Sequence, residues 1–465
     1  MSLYLLMTIN FERRITMKKK LASLLIALLM VGGILTGCGN SGSKTSSSNK
    51  PVEITFWHSM SGKNGQALQK MVNDFNSSHK NIKVTSQYQG KYDEAINKLK
   101  SAQRAKNGPD VIQTYDIGTR FMIDSGWVKP MQDFIDEEKY DTSSLESNIA
   151  GYYTVDNKLY SMPFNSSTPI LYYNKDAFKA AGLDPDNPPK TFSELESAAA
   201  KLTKKDSSGK VTQYGYAMAI YGWFFEQFIT KQGQAYVNND NGRKAAPTAT
   251  EFEKNGSGLK VLSEWNKLVK SGNAGNFGRK TDDTANAFIA GKTAMYVDST
   301  AGLSAALSGV GQKFEIGTAA LPSFDGIKDG GVSIGGASLW ALNTKDTEKE
   351  KATWEFIKYM VSPDEQAYWA TKTGYFPVTK KAYNSQLMKD NLKSKPQFQT
   401  AINQLHSSPS TAKGALMSVF PEARQTVEAN IEQMLQNKQT PEQTLKKSAD
   451  SINSAIKEYN QNNQK

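Results

Sequence analysis

The chain has 465 residues, 38% hydrophobic and 22% charged, an ordinary globular balance that excludes a disordered chain, a fibre and a polytopic membrane protein. One cysteine excludes an internal disulfide or a multi-cysteine metal site, and three histidines (His58, His79, His406) leave little for histidine-based catalysis or zinc. The one odd figure is a net charge of +11, and the length suits about three domains or one large two-lobed body.

Part of that charge belongs to the N-terminus. Met17 precedes Lys18, Lys19 and Lys20, then the apolar run Leu21 to Met30, then Leu35-Thr36-Gly37-Cys38. A basic start, a short apolar core and small residues before a cut site describe a secretory signal peptide, too short for a span of about 20 residues. With an upstream extension over residues 1–16, the export segment covers 1–37. Leu35 to Cys38 resembles the bacterial lipobox, which implies cleavage before Cys38 and lipid attachment to its sulfur. Residues 38–50, rich in Ser, Gly, Asn and Lys, form a flexible tether after it. The export segment holds five basic residues and one acidic one, leaving 51 basic against 44 acidic, a net +7. No long Lys/Arg block remains, so nucleic-acid binding is not indicated.

Val52 to Trp57 reads as a strand. Helical spacing of Leu68, Met71, Val72 and Phe75 places a helix over Gly65 to Asn76. Ile82 and Val84 alternate as in a strand, Tyr92 to Ala105 follows as a helix, and Asp110 to Gln113 as the next strand. This β-α-β-α-β order argues for a parallel sheet with helices on its faces, its ligands collecting at the carboxyl ends of the strands. Past Asn165 the pattern restarts, with a strand over Ile170 to Tyr173 and a helix over Phe192 to Leu202 opened by Thr191. Near the end, Thr440 caps a helix with Pro441 at its first position and Leu445, Ala449, Ile452 and Ile456 as its buried stripe. Asn460 onward reads as frayed.

Two motifs fail. Gly291-Lys292-Thr293 ends like a phosphate-binding loop, but the glycine required five positions earlier is Asn286. Gly309-Val310-Gly311 opens like a dinucleotide fingerprint, but its third glycine is Phe314. No nucleophile elbow, zinc-helix motif or carboxylate pair is singled out, so no catalytic constellation is recognised.

Several segments carry a resemblance: Phe56-Trp57-His58-Ser59-Met60, Pro163 to Pro169, Leu171-Tyr172-Tyr173-Asn174-Lys175, Gly335 to Trp340 and Lys372-Thr373-Gly374-Tyr375. They resemble the extracellular solute-binding proteins of the carbohydrate ABC importers, and within these the branch that takes sn-glycerol-3-phosphate and glycerophosphodiesters. The resemblance runs in order from Val52 to Tyr459. It implies an α/β, two-lobed periplasmic-binding-protein-like fold (class II), each lobe a mostly parallel sheet flanked by helices, with the ligand trapped in a cleft by hinge closure. Lobe 1 would comprise residues 51–165 and 338–382, lobe 2 residues 166–337 and 383–460, and 461–465 a polar tail.

By the same resemblance, ligand contacts fall on Tyr92, Asp116, Ser167, Trp223, Ser299, Gly336, Tyr375 and Arg424. The family has glutamate where this chain has Asp116, a tryptophan where it has Ile220 and an arginine where it has Leu416. The chemistry suits a phosphate with a glycerol diol: a planar bidentate arginine, hydroxyl donors, a backbone N–H at glycine, an acceptor carboxylate and an aromatic wall. Arg424 alone reads as a solvated helix arginine whose loss leaves the fold intact. The implied protein is a receptor and not an enzyme, with no cofactor and no metal. It is exported, monomeric and lipid-anchored, and it hands its ligand to the permease subunits of an importer. Asp116 and Ile220 leave a receptor for a neutral sugar open. A surface glycerophosphodiester hydrolase is the rival of another class.

Overall fold

The computed structural model describes residues 50–463; the export segment, Cys38 and the tether up to Asn49 lie outside the described residues. Burial alternates along β1 (Val52–His58), with Ile54, Phe56 and His58 turned inward, as the two-residue period of a half-buried strand requires. Leu68, Met71, Val72 and Phe75 form the buried stripe of α1 (Gly62–Ser78). Then come β2 (Ile82–Tyr88), α2 (Tyr92–Arg104) and β3 (Val111–Tyr115), the strands pairing in parallel through β1.

The later strands of the two large sheets are β4 (Val128–Lys129), β5 (Met162–Ser167), β6 (Pro169–Asn174), β7 (Tyr216–Met218), β8 (Ala274–Gly275), β9 (Met295–Ser299), β10 (Ile316–Ala320) and β11 (Gly335–Leu342). One sheet has the order β2-β1-β3-β11-β4, with β5 also on β11; the other has the order β8-β7-β9-β6-β10. Within each, all strands but one point the same way. The exceptions are β11, which opposes β3, β4 and β5, and β6, which opposes β9 and β10. Both adjoin a passage between sheets. Thr168 alone joins β5 to β6, and residues 321–334 lead from β10 back to β11.

Each sheet has its own core. Phe56, Leu68, Trp354 and Phe356 pack on the first; Phe224, Phe228 and Trp265 pack on the second. Three helices pack with the second lobe: α3 (Gly222–Lys231), α4 (Phe420–Leu435) and α5 (Pro441–Asn463). Thr440 caps α5 as its sequence predicts, Oγ1 accepting from the Gln443 N–H at 3.2 Å. The helix continues to Asn463, beyond the fraying expected from Asn460 on. No Gly or Pro interrupts it, and the Asn460 amide donates to the Pro247 carbonyl at 2.9 Å. The two failed motifs are turns: Gly291 has φ +72° behind the helix Thr281–Ile289, and Gly311 ends the helix Leu303–Val310. Among the described residues no helix is long and apolar enough to cross a membrane.

Candidate ligand-binding cleft

All eight residues predicted as ligand contacts line a single cavity of about 450 Å³. Both lobes contribute. Tyr92, Asp116 and Tyr375 come from elements of the first sheet and its core, Trp223, Ser299 and Arg424 from the second, and Ser167 and Gly336 from the paired strands β5 and β11.

On the first lobe, Tyr92 opens α2 and its ring stacks on Tyr115 at 5.1 Å. Its hydroxyl accepts from the Asn165 amide at 3.0 Å. The Tyr375 ring stacks on Trp369, centroids 5.6 Å apart. Asp116 follows β3 in a short 3-10 turn and is 5% exposed. Burial pushes its carboxyl up to about 7, although Arg424 draws it back down.

Where the strands cross, Gly336 has φ +93°, and a Cβ there would stand 1.9 Å from the Asn165 carbonyl oxygen. Only glycine lets β11 approach β5 this closely. The neighbouring Gly335 leaves room for the Trp223 indole, which a Cβ would meet at 2.5 Å. Trp223 thus serves both as core and as cavity wall, 4% exposed, and its indole N–H finds no acceptor among the described residues. Ser299 ends β9, where its Oγ accepts from the Ala301 N–H at 3.1 Å.

Arg424 lines the cavity as its motif suggests but departs from what it reads as when taken alone. It is not a solvated helix arginine: it is 4% exposed and forked onto Glu226, Nε to Oε1 at 2.8 Å and Nη2 to Oε2 at 2.6 Å. Asp116 lies 3.6 Å from Nη2, and Nη1 reaches toward the Tyr221 hydroxyl at 3.4 Å. Glycine makes this possible, because a Cβ on Gly222 would come within 2.7 Å of Arg424 Cγ and hold α3 and α4 apart. Burial alone would lower the guanidinium's proton affinity; Glu226, Tyr221 and Asp116 outweigh it and hold Arg424 well above its usual range. Burial raises the Glu226 carboxyl against the pull of Arg424.

The sequence reading missed Glu226, Tyr221, Glu428 and Asp298. Glu226 lies one turn beyond Trp223 on α3, and Glu428 one turn beyond Arg424 on α4, accepting from the Gly222 N–H at 2.9 Å. Those spacings were the available signal. Asp298 lines the cavity with the adjacent Ser299 N–H as its hydrogen-bond donor at 2.7 Å, and burial pushes its carboxyl up to about 7. The residues expected from departures off the family pattern, Ile220 and Leu416, are 1% exposed and sit in the cores, not on the cavity wall. Carboxylates on that wall (Asp93, Asp116, Asp282, Asp298, Glu428) outnumber its cations (Lys91, Arg279, Lys280, Arg424).

Residues 70–400 match the family of bacterial extracellular solute-binding proteins. The chain is 34% identical over 418 residues to the sn-glycerol-3-phosphate-binding periplasmic protein UgpB of Escherichia coli (strain K12), covering 87% of this chain and 93% of that one. Against the protein of the same name from Yersinia enterocolitica, identity is 36% over 406 residues, covering 85% and 90%. Among solved structures, UgpB from Mycobacterium tuberculosis in complex with glycerophosphocholine aligns with a TM-score of 0.74 at 23% identity, covering 88% of this chain and 98% of that one. The cyclic alpha-maltosyl-1,6-maltose binding protein from Arthrobacter globiformis aligns at 0.69 and 21%, covering 88% and 100%.

Proposed function

The chain belongs to the family of bacterial extracellular solute-binding proteins, receptor components of ABC importers, and on that premise we propose that it captures a glycerol phosphate, either sn-glycerol-3-phosphate or a glycerophosphodiester. Closure of the two lobes about Thr168 and residues 321–334 traps the ligand, which then passes to the permease. Lipid on Cys38 holds the receptor at the outer face of the membrane. The observation that carries this reading is the convergence of eight motif-matched residues from distant parts of the chain on one cavity. Relatives named for sn-glycerol-3-phosphate binding, and a neighbour holding glycerophosphocholine, support the same ligand class.

A second reading has its own support. Glu226 already occupies the Arg424 fork, and the wall carries more carboxylates than cations, an arrangement that also accepts the hydroxyls of a neutral sugar. Calorimetric titration of the mature protein with sn-glycerol-3-phosphate, glycerophosphocholine and maltose separates the two. Heat with either phosphate compound and none with maltose is the expected result. Heat with maltose alone moves the receptor to neutral sugars.

A further inference from the structure

We infer that Glu226 is a specificity-determining residue that tunes the cleft to singly charged phosphodiesters and against doubly charged phosphate monoesters. The inference rests on the glycerol-phosphate reading above and adds a residue and a charge rule to it.

The geometry is that of a cation whose charge is already matched. A guanidinium offers five N–H donors; Glu226 takes Nε–H and one Nη2–H at 2.8 and 2.6 Å, and both residues are buried. What remains for a ligand is the Nη1 edge, shared with the Tyr221 hydroxyl at 3.4 Å, and the outer Nη2–H. That outer hydrogen is on the nitrogen 3.6 Å from Asp116. Directional donors therefore persist while the net positive charge does not. Glu428 adds a further carboxylate beside α3, accepting from Gly222. The other cations on the wall, Lys91, Arg279 and Lys280, are solvent-exposed, and Arg279 is paired with Glu432 at 2.6 Å.

A diester brings one negative charge and needs hydrogen bonds more than neutralisation. A monoester, whose second ionisation falls near pH 6, brings close to two charges at pH 7.5. Its extra charge meets Glu226 and Asp116, both buried, where charges interact more strongly than in water. The remaining groups around the cluster are the rings of Tyr115, Tyr152, Tyr221 and Tyr236, all held protonated by burial. Arg243 lies behind the Tyr152 ring, 5.1 Å from its centroid. None of these supplies a free cation to the cleft.

The test is calorimetric titration with sn-glycerol-3-phosphate and with glycerophosphoglycerol, a diester without a cationic group, at pH 7.5. The expected result is that the wild type prefers the diester, and that Glu226→Gln shifts the diester-to-monoester affinity ratio toward the monoester by about tenfold. A purely structural role for Glu226 would weaken both ligands alike and leave the ratio in place. Wild-type protein gives a measurement that needs no variant: from pH 7.5 to pH 5.5 the monoester loses its second charge while Asp116 and Asp298, both pushed up to about 7, lose theirs, and both changes should raise the monoester's affinity relative to the diester. Two bound ligands with a ratio unmoved by both Glu226→Gln and pH would overturn the charge rule alone. Failure of the wild type to bind either compound would overturn the glycerol-phosphate reading, and this inference with it.

Discussion

The side-chain amide of Gln404 donates to Thr168 Oγ1 at 3.0 Å, so a helix residue is bonded to the one residue that joins the two sheets between β5 and β6. The same amide donates to the Pro169 carbonyl at 2.7 Å, and its oxygen accepts from the Leu321 N–H at 2.7 Å, at the start of the passage over residues 321–334. One buried side chain thus ties these two passages together. Gln404→Leu would strand the Leu321 N–H and two oxygens away from water. At roughly 1 kcal/mol per lost bond, with more for a stranded donor, the expected loss of stability is about 3 kcal/mol by urea unfolding. A loss under about 1 kcal/mol would show that the passages are held elsewhere.

Arg424→Ala is expected to abolish binding of phosphate ligands and also to destabilise the protein. The sequence suggested an arginine dispensable to the fold; the buried fork onto Glu226 says otherwise. Leaving Glu226 uncompensated should cost about 3–5 kcal/mol. Replacing both partners with leucine should recover part of that loss, because Glu226 is then no longer buried without its cation, while Asp116 loses its neighbour and must take up a proton. Urea unfolding of the single and double variants checks this, and equal stabilities would contradict it.

Asp116 predicts a pH dependence of a definite sign. Its carboxyl titrates near 7 in the folded chain against about 3.8 when free of the fold, so the folded state holds the proton more tightly. Its contribution is fully present below about pH 4 and is lost as pH rises toward 7. His58 works oppositely: burial lowers it from 6.5 to about 4, so its contribution falls as pH drops through that range. The Asp116 effect is therefore read as a difference. Relative to Asp116→Asn, the wild type should lose a few kcal/mol of unfolding free energy between pH 4 and pH 8. Parallel curves for the two proteins would refute the shift.

Gly336→Ala should be among the most damaging single-methyl additions. The backbone there is at φ +93°, and the new carbon would lie 1.9 Å from the Asn165 carbonyl oxygen. Since the strand pair β5–β11 also carries Ser167, the variant should lose ligand affinity more than tenfold as well as about 2 kcal/mol or more of stability. A variant with unchanged affinity would separate this crossing from the binding site.

The halves of the molecule were legible wherever one period dominates. The alternation of β1 and the stripe of α1 mark these elements but not their ends, α1 running from Gly62 to Ser78 where its stripe suggests Gly65 to Asn76, and Thr440-Pro441 marks the start of α5. The reversed strands were not legible, because strand direction depends on pairings such as Ala337 with Tyr115, some 220 positions apart. The cleft was legible as a list of residues because motif resemblance carries identity. What resemblance does not carry is the partner. Nothing local to Arg424 announces Glu226, 198 positions away, and a single arginine on a helix face has no sequence feature that separates a solvated cation from a buried, already neutralised one.

Asp124 connects the lobes away from the ligand. It lies on the first-lobe helix Thr119–Ser125 beside Arg120, 2.9 Å away, and it accepts hydrogen bonds from Tyr459 on α5 at 3.1 Å and from Ser418 just before α4. None of these residues lines the ligand cavity. Contacts that form only when the lobes meet stabilise the closed state and leave the ligand's own bonds untouched. Asp124→Ala should therefore raise the ligand dissociation rate several-fold, with little change in association rate and a stability loss below about 1 kcal/mol, as expected for a half-exposed site. Stopped-flow fluorescence with the preferred phosphate ligand measures both rates. An unchanged dissociation rate would remove Asp124 from lobe closure, whereas a slowed association with dissociation intact would place its role in the open receptor instead.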